Sequence, residues 1–233
     1  MTPSVFMLEL GVLIAIWLAG WGVAFWLIKK GITYVDNSLI TSFVFLSFSA
    51  LLIAVFWRRL EPLTRNFSIL PFVVLLLAVV VTIGVYAVCR RYVDRPNALI
   101  ARHPEEFYLR MDYRYLVSKS FEVLFQQLVI VALTLLLAAT GLTLTGLVLV
   151  FLGLFGLLHL PMLRVVGKGL GLYYTLAAAT LAVVFPILIL RVDYGFVYSY
   201  AVHWFGYTLA ALLGWLCHGR ALQGREEAPG ASA

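Results

Sequence analysis

The 233-residue sequence has few charged residues and very few cysteines. Charged residues make up 12% of the chain, where a soluble domain of this size has about a quarter. By contrast, 63% of the chain is hydrophobic and its mean hydropathy is +1.00. This balance excludes an ordinary water-soluble enzyme, a disordered chain and a nucleic-acid-binding module. The two cysteines, Cys89 and Cys217, are too few for a disulfide framework and stand in no metal-binding motif.

Long apolar runs dominate the chain, and a helix needs roughly 20 such residues to cross the hydrocarbon core. The runs cover residues 7–28, 38–57, 69–89, 119–140, 142–160, 172–190 and 196–217. They predict an all-α fold, a polytopic transmembrane helical bundle of about seven spans that forms one domain over residues 1–217. Residues 218–233 have no apolar periodicity, so we expect a disordered cytoplasmic tail.

Lys and Arg residues fall mostly on one side of these predicted spans. Thirteen of the 17 lie in loops one, three and five and in the tail, and four lie on the other side: Arg58, Arg59, Arg65 and Arg191. Because positive loops stay in the cytoplasm, the bias predicts an external N-terminus and a cytoplasmic C-terminus. We expect the lipid bilayer of a bacterial or archaeal plasma membrane to be the first partner.

The loop before the fourth span is the longest one. Its Pro104-Glu105-Glu106 sequence is typical of a helix start, since proline and acids favour the first turn. Phe107, Met111 and Tyr115 follow at four-residue intervals. This spacing predicts a short interfacial helix that leads into the fourth span.

Ionisable residues inside the spans are the candidates for function, because each costs at least a few kcal/mol unless it is paired or solvated. They are Glu122, His159 and His203. Gln126 shares a helical face with Glu122, and Lys119 lies three residues before it. One alternative is therefore structural, with Glu122 at the start of its helix paired to Lys119.

The two histidines also have a structural alternative and differ in predicted depth. His159 lies in the last turn of the fifth span, four residues after Phe155, and could simply be hydrogen-bonded at a helix end. If the fourth and fifth spans are antiparallel, Glu122 and His159 both lie towards the cytoplasmic side. His203 lies nearer the midplane, so a common site requires a tilted last span or a recessed cavity.

Three short segments resemble the motifs of a known family. Phe155-Gly156-Leu157-Leu158-His159 is very similar to the second motif of the CPBP intramembrane proteases, the CAAX proteases and bacteriocin-processing enzymes. The segment 121–127 resembles their first motif, Glu-Glu-x-x-x-Arg, with Phe121 and Gln126 replacing the first acid and the arginine. His203 matches the third-motif histidine, and Tyr207 stands where that motif commonly has asparagine. The resemblance covers residues 118–217.

The resemblance implies a glutamate-type protease that hydrolyses a peptide bond of a lipidated or membrane-embedded substrate. Glu122 would activate a water molecule as the base, and His159 would orient that water or relay its proton. His203, with Tyr207, would stabilise the oxyanion. The supporting residues would be Gln126, Phe155 and Tyr207. We expect no cofactor, and a zinc ion held by the glutamate and histidines is the weaker option.

Two other hypotheses stay open. The incomplete first motif is consistent with a non-catalytic relative of the same fold that acts as a scaffold or partner-binding subunit in the membrane. Alternatively, His159 and His203 could ligate haem as a pair or line a proton path, and haem ligation requires them at compatible depths.

Overall fold

The computed structural model describes residues 1–65, 68–102, 107–165 and 168–218 of the chain. Within these ranges the chain forms nine α-helices and two 3₁₀ turns and contains no strand. The helices are α1 (Pro3–Lys29), α2 (Ser38–Leu60), α3 (Leu70–Tyr92), α4 (Asn97–Arg102), α5 (Tyr113–Ala138), α6 (Leu144–His159), α7 (Met162–Val165), α8 (Lys168–Arg191) and α9 (Gly195–His218). The 3₁₀ turns cover Glu61–Thr64 and Phe107–Arg110.

Six of the helices in the described ranges are long and apolar enough to cross a membrane: α1, α2, α3, α5, α6 and α8. Their number and length confirm the predicted all-α, polytopic architecture. The predicted seventh span coincides with α9, whose 24 residues also match the thickness of a bilayer. It falls outside the group of six because Tyr, Ser, Trp and His residues lower the hydropathy of its first half. Beyond His218, the predicted tail lies outside the described residues.

The surface of the bundle is covered with large apolar side chains, as a lipid environment requires. Eight of them are between 63% and 80% exposed: Met7, Leu8, Leu39, Phe43, Ile69, Leu76, Leu149 and Leu157. In water such a surface would lead to aggregation, whereas in a bilayer it replaces lipid–lipid contacts at little cost. The exposed surface therefore agrees with the helix lengths in indicating an integral membrane protein.

Helix α5 lies at the centre of the bundle and packs on α1, α2, α6, α8 and α9. It has more buried residues than any other described helix, including Phe125 and Leu136, which are 0% exposed. A polar residue fixes its first turns against α2 and the loop before it. The hydroxyl of Ser118 donates to the carbonyl oxygen of Tyr34 at 2.9 Å and accepts from Thr41 at 2.9 Å. The polar residues of α5 are therefore held inside the protein.

The prediction of a short interfacial helix that leads into the fourth span is wrong. Phe107–Arg110 forms only a 3₁₀ turn, and Met111 has a positive φ of 49°, which ends it. The Asp112 side chain then accepts a hydrogen bond from the backbone N–H of Arg114 at 2.8 Å and begins α5. An N-cap at this position favours a new helix start over continuation. Residues 104–106, the predicted start, lie outside the described residues.

This segment is also not on the surface. Tyr108, Leu109 and Met111 are 0–1% exposed. The indole N–H of Trp215 donates to the carbonyl oxygen of Leu109 at 2.7 Å, so the segment is attached to the end of α9. Met111 and Tyr115, which stand at this four-residue spacing, are therefore buried in the bundle and do not form an amphipathic face at the membrane.

Close packing between α1 and α5 provides a test of this arrangement. A Cβ atom at Gly20 would lie 2.6 Å from Cζ of Phe125, whose ring is fully buried against Phe45 and Phe48. We expect Gly20→Ala to destabilise the protein by about 1–3 kcal/mol, because the buried ring has little room to move. Thermal unfolding in detergent measures the effect.

The matched control is Gly22→Ala on the same helix, since a Cβ there has no atom within 4 Å. This substitution gains helix propensity and should leave stability unchanged or slightly raised. Equal unfolding temperatures for the two variants would contradict the packing of α1 on α5.

Candidate functional site

An apolar cavity of about 660 Å³ lies between α1, α5, α6, α8 and α9. Five of the six residues predicted from the sequence line it: Gln126, Phe155, His159, His203 and Tyr207. They come from three helices and span 81 positions of the chain. Glu122, the sixth, lies next to Gln126 but is not among the lining residues. The structure therefore brings the predicted residues together, with the carboxylate set behind the cavity wall.

The three motif-like segments meet because the first turns of α9 lie beside the second half of α5. Ser199, the fifth residue of α9, accepts a hydrogen bond at 2.7 Å from Gln127, the fifteenth residue of α5. Closer to the start of α5, Lys119 lies against Tyr207 of α9. The two helices are therefore antiparallel with an offset, which brings His203 to the cavity. This recessed cavity is one of the two arrangements that the sequence left open for His203.

His159 is held by its own helix. Its Nδ1 lies 2.8 Å from the carbonyl oxygen of Phe155, and the two rings stack with centroids 6.3 Å apart. A carbonyl oxygen can only accept, so Nδ1 carries the proton in this contact. In the neutral imidazole Nε2 is then the nitrogen with a free lone pair. The ring is therefore arranged as a hydrogen-bond acceptor or base through Nε2.

His203 is oriented by a chain of side chains that the sequence motifs did not include. Its Nδ1 lies 3.2 Å from Oε1 of Gln127, and the Gln127 amide donates through Nε2 to the hydroxyl of Ser199. With the amide nitrogen used in that bond, Oε1 accepts the Nδ1 proton of His203. Gln127 is 2% exposed and Ser199 is 0% exposed, so both residues are fixed by packing. His203, like His159, thus keeps Nε2 as its acceptor nitrogen.

Glu122 is in a buried ion pair. It is 3% exposed, and its Oε1 accepts hydrogen bonds at 2.6 Å from Nζ of Lys119 and at 2.6 Å from Nε2 of Gln126. These are the pairing and the helical neighbour that the spacing predicted. The contacts offset the cost of a charge within the bundle. In this arrangement Glu122 holds Gln126 and Lys119 in place and does not contact the cavity.

Lys119 and Tyr34 complete the surroundings of Glu122, and neither was among the predicted site residues. Nζ of Lys119 lies 4.0 Å from the ring centroid of Tyr207, in cation–π distance. Tyr34 is in the loop between α1 and α2. Burial, and after it the charge of Glu122, raises the pKa of its phenol well above the ordinary value, and its hydroxyl donates a hydrogen bond to Glu122. No sequence signal links Tyr34 to Glu122, because 88 positions separate them.

The cavity is open towards the surface of the bundle between α1 and α6. Three of its lining residues are also exposed there: Ile14 at 45%, Leu154 at 41% and Leu158 at 59%. On a membrane protein this surface faces lipid. The cavity is thus accessible from the bilayer, and its polar residues lie together at one end.

The residues present do not form a complete metal site. Among the described residues, no three His, Cys, Asp or Glu side chains come together as ligands. The cavity offers the two Nε2 atoms of His159 and His203, while the Glu122 carboxylate is engaged by Lys119 and Gln126. A catalytic zinc site needs three protein ligands. The Glu/His/His set therefore does not fit zinc in this arrangement.

No family model, no curated protein and no solved structure matches this chain. The arrangement of the cavity therefore carries the functional argument.

The ion pair behind the cavity can be tested by substitution. We expect Lys119→Met to destabilise the protein by about 3–5 kcal/mol, because it leaves the Glu122 carboxylate buried without its partner. Adding Glu122→Gln removes that charge, so the double variant should recover most of the loss. Thermal unfolding in detergent of the two single variants and the double variant gives the coupling between the two side chains. Additive effects would contradict the ion pair.

Proposed function

We propose that the protein is an intramembrane protease of the CPBP kind, acting on a lipidated or membrane-embedded substrate. One observation carries this proposal: residues from all three motif-like segments line a single apolar cavity, although they are far apart in the sequence. The opening between α1 and α6 supports entry of a substrate from the bilayer. The two imidazoles, both with Nε2 free to accept, supply the groups that hydrolysis needs.

Peptide hydrolysis requires a base for water and donors for the developing oxyanion. The resemblance assigns the base to Glu122, which requires Gln126 to turn away so that water reaches the carboxylate. His159 lines the cavity and could take the proton through Nε2 without this movement. The tetrahedral oxygen would then be stabilised by a hydrogen bond from the hydroxyl of Tyr207, whose ring stacks with that of His203.

The second candidate is a non-catalytic membrane subunit that binds a partner or a lipid in the same cavity. Its support is the state of the carboxylate, since Oε1 of Glu122 already accepts two short hydrogen bonds. Phe121 in place of the first acid leaves no other carboxylate in this segment. Such a protein would keep the cavity and its ligand but would not turn the ligand over.

We further propose seven spans, with α9 as the last, and an external N-terminus in the plasma membrane of a bacterium or archaeon. Four positive residues, Arg58, Arg59, Arg65 and Arg191, lie on the external side in this orientation. Two of them are in ion pairs, Arg59 with Glu9 at 3.1 Å and Arg65 with Glu61 at 3.3 Å. The support for the proposed orientation is the bias of Lys and Arg, with thirteen on the cytoplasmic side and four on the external side.

The orientation can be tested with the native thiols. Cys217 is exposed at the end of α9, whereas Cys89 is buried. A membrane-impermeant maleimide should label the protein in inside-out vesicles and leave it unlabelled in right-side-out vesicles. Cys217→Ser should abolish the labelling, which assigns it to that thiol. Labelling of right-side-out vesicles alone would reverse the proposed topology.

The activity can be tested in proteoliposomes with a quenched-fluorescence peptide library whose members carry a palmitoyl or an isoprenyl group. We expect His159→Gln and His203→Gln each to lower the cleavage rate by about 10²–10⁴-fold, the usual contribution of a positioned acid or base. Glu122→Gln tests the base directly. A loss as large as that of His159→Gln favours Glu122, while a small loss assigns the base to His159.

The matched control is His218→Gln, because His218 lies at the far end of α9 and does not line the cavity. It should retain the full rate. If the wild-type protein cleaves no member of the library while it still binds lipidated peptides, the non-catalytic candidate replaces the protease. A Soret band in the purified protein would instead favour haem ligation by the two histidines.

A further inference from the structure

Three exposed arginines lie at one end of the bundle, where α3 ends and α5 begins. Arg90 and Arg91 are in the last turn of α3, and Arg114 is in the first turn of α5. The Arg90 guanidinium lies over the ring of Tyr113, 5.6 Å from its centroid, so the two helix ends are in contact. Arg91 lies over the ring of Tyr92, also at 5.6 Å. We call Arg90, Arg91, Tyr92, Tyr113 and Arg114 the basic patch.

The positive charge of the basic patch is not neutralised within the part of the chain that the structure describes. None of its arginines is in an ion pair there. The nearest carboxylates along the chain, Asp94 and Asp112, are partly buried, and Asp112 accepts a hydrogen bond from the backbone N–H of Arg114. At the opposite end of the bundle, by contrast, Arg59 is paired with Glu9. The patch therefore presents cationic groups that an external anion can bind.

The depth of the basic patch matches that of phospholipid headgroups. The 23 residues of α3 correspond to about 35 Å at 1.5 Å per residue, slightly more than the hydrocarbon core of about 30 Å, so its last turn reaches the headgroups. Tyr92 and Tyr113 are both exposed, and tyrosine is enriched at this depth because its ring is apolar and its hydroxyl is polar. The guanidinium group binds phosphate through two parallel hydrogen bonds. The residue types of the patch are thus suited to a lipid phosphate.

An exposed valine lies one helical turn deeper in the bilayer than each of the two tyrosines. Val88 precedes Tyr92 by four residues on α3, and Val117 follows Tyr113 by four residues on α5, so each pair shares a helical face. Val88 is 57% exposed and Val117 is 46% exposed. Acyl chains can pack on these valines while the headgroup contacts the arginines. A soluble anion would use only the arginines, so the combined surface fits a phospholipid better.

We propose that the basic patch binds a phospholipid whose headgroup carries a net negative charge. Its phosphate would accept hydrogen bonds from Arg90 and Arg114, the two arginines beside Tyr113, and its acyl chains would lie against Val88 and Val117. In the proposed orientation this lipid belongs to the cytoplasmic leaflet. The bound headgroup would join the end of α3 to the start of α5 and stabilise the bundle. The patch does not line the cavity, so the inference is independent of the proposed protease.

Binding can be measured on the full-length protein in detergent by native mass spectrometry. The probes are phosphatidylglycerol and phosphatidylcholine with identical acyl chains, which share the phosphate and differ in net charge. We expect phosphatidylglycerol to bind about tenfold more tightly or better, because each arginine near an anionic lipid contributes about fivefold. Phosphatidylglycerol should also raise the unfolding temperature, since a ligand of the folded state stabilises it, and phosphatidylcholine should not.

Removing the two arginines beside Tyr113 tests the site itself. Arg90→Gln combined with Arg114→Gln should weaken phosphatidylglycerol binding roughly 30-fold, from about fivefold for each arginine. Both side chains are exposed, so the variant should keep the unfolding temperature of the lipid-free wild type. The matched control is Arg58→Gln combined with Arg191→Gln, which removes the same charge from exposed arginines at the opposite end of the bundle. It should keep the wild-type affinity.

Three results would overturn the inference. Equal affinity for the two lipids would remove the selectivity, and an equal loss in the two double variants would show an effect of net charge alone. Displacement of the lipid by glycerol 3-phosphate at the same concentration would show that the site takes a soluble phosphate and gains nothing from the acyl chains. Binding of a polyglutamate peptide without preference for phosphatidylglycerol would assign the patch to an acidic protein partner, which also contradicts the inference.

Discussion

The structure depends on one constraint: polar side chains of α5 lie inside a bundle that gives them almost no water. Each therefore needs a partner within the protein. Lys119 and Glu122 form an ion pair, and Gln126 donates a second hydrogen bond to the carboxylate. Gln127 donates a hydrogen bond to Ser199 of α9. These contacts fix the level at which α9 meets α5. The position of the cavity follows from that level. The hydrogen bonds that satisfy the buried polar groups of α5 therefore also determine where the cavity forms.

The sequence predicted the fold well where a single physical quantity decides it. Run length and hydropathy are sufficient for the helices that cross a bilayer, because each span satisfies its own backbone. Helix spacing was sufficient for local pairs, so the neighbours of Glu122 at positions 119 and 126 were found. The same reasoning placed His159 on the face of Phe155. For these residues the interaction partner lies within one helical turn, and the printed sequence contains it.

Prediction failed where a partner lies far along the chain. Tyr34 reaches Glu122 across 88 positions, and Gln127 orients His203 across 76. No periodicity encodes such contacts. The prediction of a helix before α5 failed for a different reason. Asp112 caps a new helix, and the indole N–H of Trp215 donates to the carbonyl oxygen of Leu109. Both interactions compete with the helix that the four-residue spacing suggested, and one of them comes from the last helix of the chain.

A buried carboxylate can have a chemical role or a structural one, and the position of Glu122 distinguishes between them. A glutamate exposed to a cavity can exchange protons with water, whereas one that accepts two short hydrogen bonds and faces a lysine is chiefly a structural anchor. Glu122 is such a structural anchor in this arrangement, and the imidazoles of His159 and His203 line the cavity. The histidines are held by other contacts, His159 by the carbonyl oxygen of Phe155 and His203 by the side chain of Gln127. The positions of the two imidazoles in the cavity therefore do not depend on direct contact with the carboxylate, and the cavity and the ion pair are two separate features of the bundle.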